Sequence, residues 1–148
     1  MKKIAIIAMM IFSMVLTVSA QQSVDGNYVG NFTSIYMNGD KPVPSGQFTT
    51  TVTSNNSLIS LYMAPFQIGN MPGYITIDAQ NIVLNSDGSF NQSVYNGIIL
   101  QLPFGTKRYN ATVTGTVVNN ELIYTITSEN ASYMGYNFLA IVGFRGNK

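Results

Sequence analysis

Histidine and cysteine are both absent from the 148-residue chain. With them go the commonest general base, the usual transition-metal ligands and the thiolate nucleophile. Six carboxylates remain as candidate reactive groups, and a pair of them flanking a sugar would suffice for glycoside hydrolysis. Their settings speak for structural work instead. Asp40 and Asp87 sit in Asn- and Gly-rich turns, where an Asp side chain mimics a backbone acceptor, and Asp25 precedes a glycine at the start of the first alternating run. Asp78 alone falls within a strand-like run, on the face of Thr76 and Gln80. Pointing outward it is solvated; pointing inward it would anchor a polar ligand group. Catalysis would require Asp78 to share one cleft with Glu121 or Glu129, so no enzyme, catalytic residue or cofactor is expected.

Metal binding fares no better. Asn38-Gly39-Asp40 and Asn85-Ser86-Asp87-Gly88 offer hard oxygens but lack the spaced acids and terminal glutamate of an EF-hand loop. Nucleic acid is also an unsuitable partner. Setting aside Lys2 and Lys3, five basic residues (Lys41, Lys107, Arg108, Arg145, Lys148) face six acidic ones, about one net negative charge, where phosphate recognition needs a basic face.

The residues suited to recognition are apolar. Tyr62, Met63, Phe66, Met71 and Pro72 cluster around the stretch 64–73, which lacks strand alternation. An apolar loop wants cover: it either plugs the end of the fold or forms an adaptable entrance for an apolar ligand, where methionine tolerates varied shapes. Tyr133, Met134 and Tyr136 form a similar, smaller group. Tyr109 and Tyr124, each within an alternating run, supply aromatic wall. The candidate ligand-binding set is therefore Tyr62, Met63, Phe66, Met71, Tyr109 and Tyr124, and the expected partner is a small apolar or amphipathic molecule.

The elements that must position these residues are strands. From Asp25 onward, short alternating runs rich in Thr, Tyr, Phe, Val and Ile are separated by Asn, Gly, Asp and Pro clusters. Tyr109, Ala111, Val113, Gly115 and Val117 share one face, with Asn110, Thr112, Thr114 and Thr116 on the other. Phe48, Thr50 and Val52 behave likewise, as do Leu122, Tyr124 and Ile126. Asn38-Gly39-Asp40, Asn55-Asn56, Ser86-Asp87-Gly88 and Asn119-Asn120 supply hairpin turns. Strands are expected near 27–37, 47–54, 57–63, 73–84, 89–95, 98–102, 107–118, 121–128 and 137–145, the fifth and sixth being one strand interrupted at Gly97 or two separate ones. About eight antiparallel strands hide their edges best by closing into an up-and-down barrel, with a flattened sandwich as the competing architecture.

Residues 1–20 are set apart. Lys2 and Lys3 precede an apolar run from Ile4 to Leu16, and Val18-Ser19-Ala20 has the small residues of a signal-peptidase site. The run is too brief to span a bilayer. The expectation is a signal peptide at 1–20 and one barrel domain at 21–148, exported to the periplasm or the medium, monomeric and without a membrane span. The absence of cysteine leaves no site for a lipid anchor.

Asp25-Gly26-Asn27-Tyr28-Val29-Gly30, the stretch from Leu61 to Ile77, the Asp87-Gly88-Ser89-Phe90 turn, and Gly115 to Leu122 together resemble the exported bacterial calycin-like β-barrel domains, relatives in shape of lipocalins. The resemblance covers most of residues 21–148 and implies a single closed barrel with a ligand-sized interior. Gly26-Asn27-Tyr28 is similar to the Gly-x-Trp opening of lipocalins, with tyrosine for tryptophan. It implies that Arg145, on the final strand, packs across Tyr28 to close one barrel end by a cation-π contact; an exposed terminal arginine beside Gly146 is the alternative reading of the same residue. Two other functions compete with ligand binding: a structural or protein-interaction domain with a filled interior, and an outer-membrane barrel. The shortness of the strands and the scarcity of charge for a lumen oppose the latter.

Overall fold

The alternating runs fold as strands because a period of two gives each of them one apolar face to bury. A computed structural model describes residues 22–148; the expected signal peptide, residues 1–20, lies outside the described residues. The strands are β1 (Gly26–Met37), β2 (Phe48–Asn55), β3 (Leu58–Phe66), β4 (Tyr74–Val83), β5 (Ser89–Leu102), β6 (Gly105–Val118), β7 (Glu121–Ser128), β8 (Ala131–Tyr133), β9 (Tyr136–Phe138) and β10 (Ala140–Asn147). Eight of them form a closed antiparallel barrel in the order β1-β10-β7-β6-β5-β4-β3-β2, while β8 and β9 pair only with each other. Every barrel strand pairs with its neighbours in sequence, apart from the β8–β9 hairpin inserted between β7 and β10. This is the up-and-down barrel, and closure removes every edge of the eight-stranded sheet. No helix occurs among the described residues, and so none that is long and apolar enough to cross a membrane.

The inward face is the one the alternation marks. Tyr109, Ala111, Val113 and Val117 of β6 and Leu122, Tyr124 and Ile126 of β7 are buried, and Thr50 and Val52 of β2 meet them from across the lumen. Rings fill the middle. Phe32 lies 4.4 Å from Phe48, 4.7 Å from Phe66 and 6.5 Å from Phe144, centroid to centroid, and Phe144 lies 5.5 Å from Tyr124. Burial of each such side chain is worth about 1.5–3 kcal/mol, so this stack is a principal source of stability in a chain without disulfides.

Two elements depart from the sequence expectation, the third and the last, and a third element, the fifth, settles an alternative left open. The third strand runs on to Phe66 rather than stopping at residue 63, because a bulge between Met63 and Phe66 lets both point inward although three positions apart. The fifth and sixth expected strands are one strand, β5, bulged between Val94 and Ile98 where it passes Asn96 in a left-handed conformation (φ 55). The last expected strand, near 137–145, divides into the small hairpin and β10.

The two ends of the barrel differ. At one end, β2–β3, β4–β5 and β6–β7 are joined by the polar turns anticipated from Asn56, Gly88 and Asn119-Asn120, all with positive φ. The other end carries the connections β1–β2, β3–β4 and β5–β6 and the β8–β9 hairpin, where the apolar loops gather.

Candidate functional site

The polar end is closed by local contacts. The Tyr28 hydroxyl donates to the Val24 carbonyl at 2.9 Å, and Lys148 Nζ donates to the Ser23 and Asp25 carbonyls while lying 5.8 Å from the Tyr28 ring centroid. The cation over Tyr28 is therefore Lys148, not Arg145. Register explains the exchange: Phe144 points into the lumen, so Arg145 must point outward, where it pairs with Glu121 at 2.8 Å.

Asp25, Asp78, Asp87, Glu121 and Glu129 are each engaged locally. Hydrogen bonds from Ser54 hold the Asp25 carboxyl below the usual range, those from Ser89 do the same for Asp87, and those from Thr112 and then Ser93 for Glu129. Asp78 is on the outer wall and accepts a hydrogen bond from the Gln80 amide. Among the described residues no three His, Cys, Asp or Glu side chains come together as a metal site.

The apolar end holds the candidate site. Its first component is the segment after β3. Phe66 and Ile68 are buried in the core and stopper the lumen, whereas Met71 and Pro72 turn to the barrel mouth. The segment is thus plug in its first half and cleft wall in its second. It is held by Met71 N donating to Ile68 O at 3.0 Å and by the Gln67 amide donating to Met71 O at 2.6 Å.

The second component is the β8–β9 hairpin, which folds over the mouth. Met134 and Gly135 both have positive φ (49° and 80°), the two-residue turn that suits a tight hairpin. Its base is pinned by Asn38, whose Oδ1 accepts from Leu139 N at 2.8 Å, and by Ser128 Oγ, which accepts from Ala140 N at 2.9 Å. Beneath it the Tyr109 hydroxyl donates to Ser132 O at 3.0 Å and the Tyr109 ring meets Phe138 edge-on at 5.0 Å. Burial pushes the Tyr109 phenol above its ordinary pKa.

Between these components lies an apolar cleft of about 440 Å³, within the size range of small-molecule sites. Met37, Leu100 and Leu102 line it from the strand ends, Met71 and Pro72 from one loop, and Tyr133, Met134, Tyr136 and Phe138 from the hairpin; Asn38 and Asn137 are its amide-bearing members. The arrangement can desolvate an apolar body and orient a polar tip.

Of the six candidate ligand-binding residues only Met71 lines this cleft. Met63, Phe66 and Tyr124 are buried in the barrel, Tyr109 supports the hairpin from below, and Tyr62 lies on the outer wall, half-exposed, because its neighbour Met63 takes the inward position. Space for a ligand is therefore found at the mouth rather than among the rings of the lumen. Met37, Leu100, Leu102 and Phe138 were not indicated by the sequence; their one shared signal is an apolar residue at the end of a strand. Comparison with protein-family profiles, curated proteins and solved structures finds nothing that matches this chain.

Proposed function

We propose that this chain is an exported, non-catalytic binding protein whose cleft at the barrel mouth takes a small apolar or amphipathic molecule. The observation that carries the proposal is the 440 Å³ apolar cleft roofed by the β8–β9 hairpin. An aliphatic chain would lie on Leu100, Leu102 and Met71, with its polar tip at the Asn38 and Asn137 amides. Methionine on three sides, Met37, Met71 and Met134, favours tolerance of shape over strict selectivity. The resemblance of the sequence to calycin-like barrels points the same way.

A titration with 11-(dansylamino)undecanoic acid tests it. Saturable binding is expected, weakened about tenfold or more by Leu102→Asp and unchanged by Tyr62→Ala. The ring-packed lumen favours a second reading, a filled barrel that serves as a structural or interaction domain. Failure of the probe to bind, together with native mass spectra showing no small molecule released from host-exported protein on unfolding, would decide for that alternative.

A further inference from the structure

We propose that the cleft end of the barrel docks on an anionic lipid surface, with Phe104, Met134 and Tyr136 as the side chains that enter it. The proposal does not require that the cleft hold a ligand. Phe104, at the β5–β6 turn, is 96% exposed, Tyr136 81% and Met134 79%. All three sit at the same end, on projecting turns, while the turns of the opposite end are built from Asn, Asp, Ser and Gly. Exposed apolar groups gathered at one pole mark a contact site.

The backbone singles out Met134. Among the described residues, eight non-glycine positions have positive φ; seven are asparagine, the residue that tolerates this conformation best, and the eighth is Met134 at φ 49. An asparagine or glycine would hold this turn with less strain. The presence of a long apolar side chain at this exposed, strained tip is explained if the side chain is used there.

Charge selects the partner. Lys41 in the β1–β2 connection and Lys107 near the start of β6 are exposed at this end, whereas Arg108 lines a hollow of the side wall together with Asp78 and Tyr95 and Arg145 and Lys148 are engaged at the other end. Of the acids here, Glu129 is tied to Thr112 at 2.5 Å, leaving Asp40. Aromatic and methionine tips on the same end as the exposed Lys41 and Lys107 suit a surface of anionic headgroups over acyl chains, tyrosine resting at the headgroup level. The contact proposed is with the surface of the bilayer and not across it: Thr53, Thr114 and Thr125 on the outer wall are polar and exposed.

Flotation of the host-exported protein with vesicles of phosphatidylcholine plus phosphatidylglycerol, against phosphatidylcholine alone, tests the proposal. Binding to the anionic vesicles is expected, falling with salt and reduced about tenfold or more by Phe104→Asn with Met134→Asn. Met134→Asn fits the turn, so loss of fold is not at issue, and thermal melts verify it. Tyr95→Asn removes a tyrosine that is also 79% exposed, but on the side wall, and should bind as the parent does. The proposal is overturned if the parent protein stays with the unbound fraction, if the rim variants float as it does, or if Tyr95→Asn is equally harmful. It is also overturned if the rim substitutions abolish self-association in gel filtration while leaving flotation intact.

Discussion

Replacing Tyr124 by phenylalanine removes a single oxygen from the centre of the barrel, and the structure sets what that should cost. The Tyr124 hydroxyl and Thr50 Oγ1 lie 3.1 Å apart with both residues buried. Tyr124→Phe keeps the ring against Phe144 but leaves the Thr50 hydroxyl without that partner; Thr50→Val keeps the volume and strands the tyrosine. Each should cost about 1–3 kcal/mol, the penalty for an unsatisfied buried polar group. That corresponds to a fall in Tm of roughly 3–10 °C for a domain of this size. The double variant removes both polar atoms together and should come close to the parent, so the two substitutions are strongly non-additive.

Urea unfolding followed by circular dichroism measures all four proteins. A titration at alkaline pH adds a second arm. Burial raises the Tyr124 phenol above its ordinary value near 10, so above that pH the unfolded chain releases a proton that the folded one retains. The stabilisation is complete below the unfolded value and is lost as pH climbs through the folded one. The double variant should consequently lose less stability between neutral and strongly alkaline pH than the parent. Strictly additive single costs would refute the pairing of these hydroxyls, and an unchanged alkaline profile would refute the burial of the Tyr124 phenol.

Two further substitutions probe the closure of the barrel. A Cβ on Gly30 would stand 1.9 Å from the Arg145 carbonyl oxygen and 2.4 Å from Gly146 Cα; Gly30→Ala should therefore cost more than about 2 kcal/mol, and a parental urea midpoint would contradict the close approach of β1 to β10. Arg145→Ala breaks only an exposed ion pair and should change stability by less than about 1 kcal/mol, whereas Lys148→Ala loses the Ser23 and Asp25 carbonyls and the Tyr28 ring. Thermal melts should rank Lys148→Ala as the more destabilising, and the reverse ranking would return the cation-π role to Arg145.

Much of the barrel is legible in the residues because strand faces are a local matter. Leu122, Tyr124 and Ile126 alternate with polar neighbours, and no distant contact is needed to know that they share a face. The Asn119-Asn120 turn is readable for the same reason: its demand for positive φ is met by its own side chains. The β8–β9 hairpin escaped because three-residue strands are too short to display a period. Nearness in sequence to Phe66 suggests a place for Tyr62 in the site, yet the strand continues through that stretch, and alternation sends Tyr62 to the outer wall.

The all-β class, the closed barrel of about eight strands and the inward faces are read from the period of two, since alternation depends on order along the chain alone. The candidate site is not readable in this way. Met71 and Met134 are 63 positions apart in the sequence, and each lies in an apolar cluster that by itself only calls for cover. The closed antiparallel order places the β3–β4 connection and the β7–β10 crossing at one end of the barrel, and the bulge before Phe66 decides which residues of the first cluster plug the lumen and which face the mouth. Closure and register are properties of all eight strands together, so only the tertiary structure joins the two clusters into one cleft.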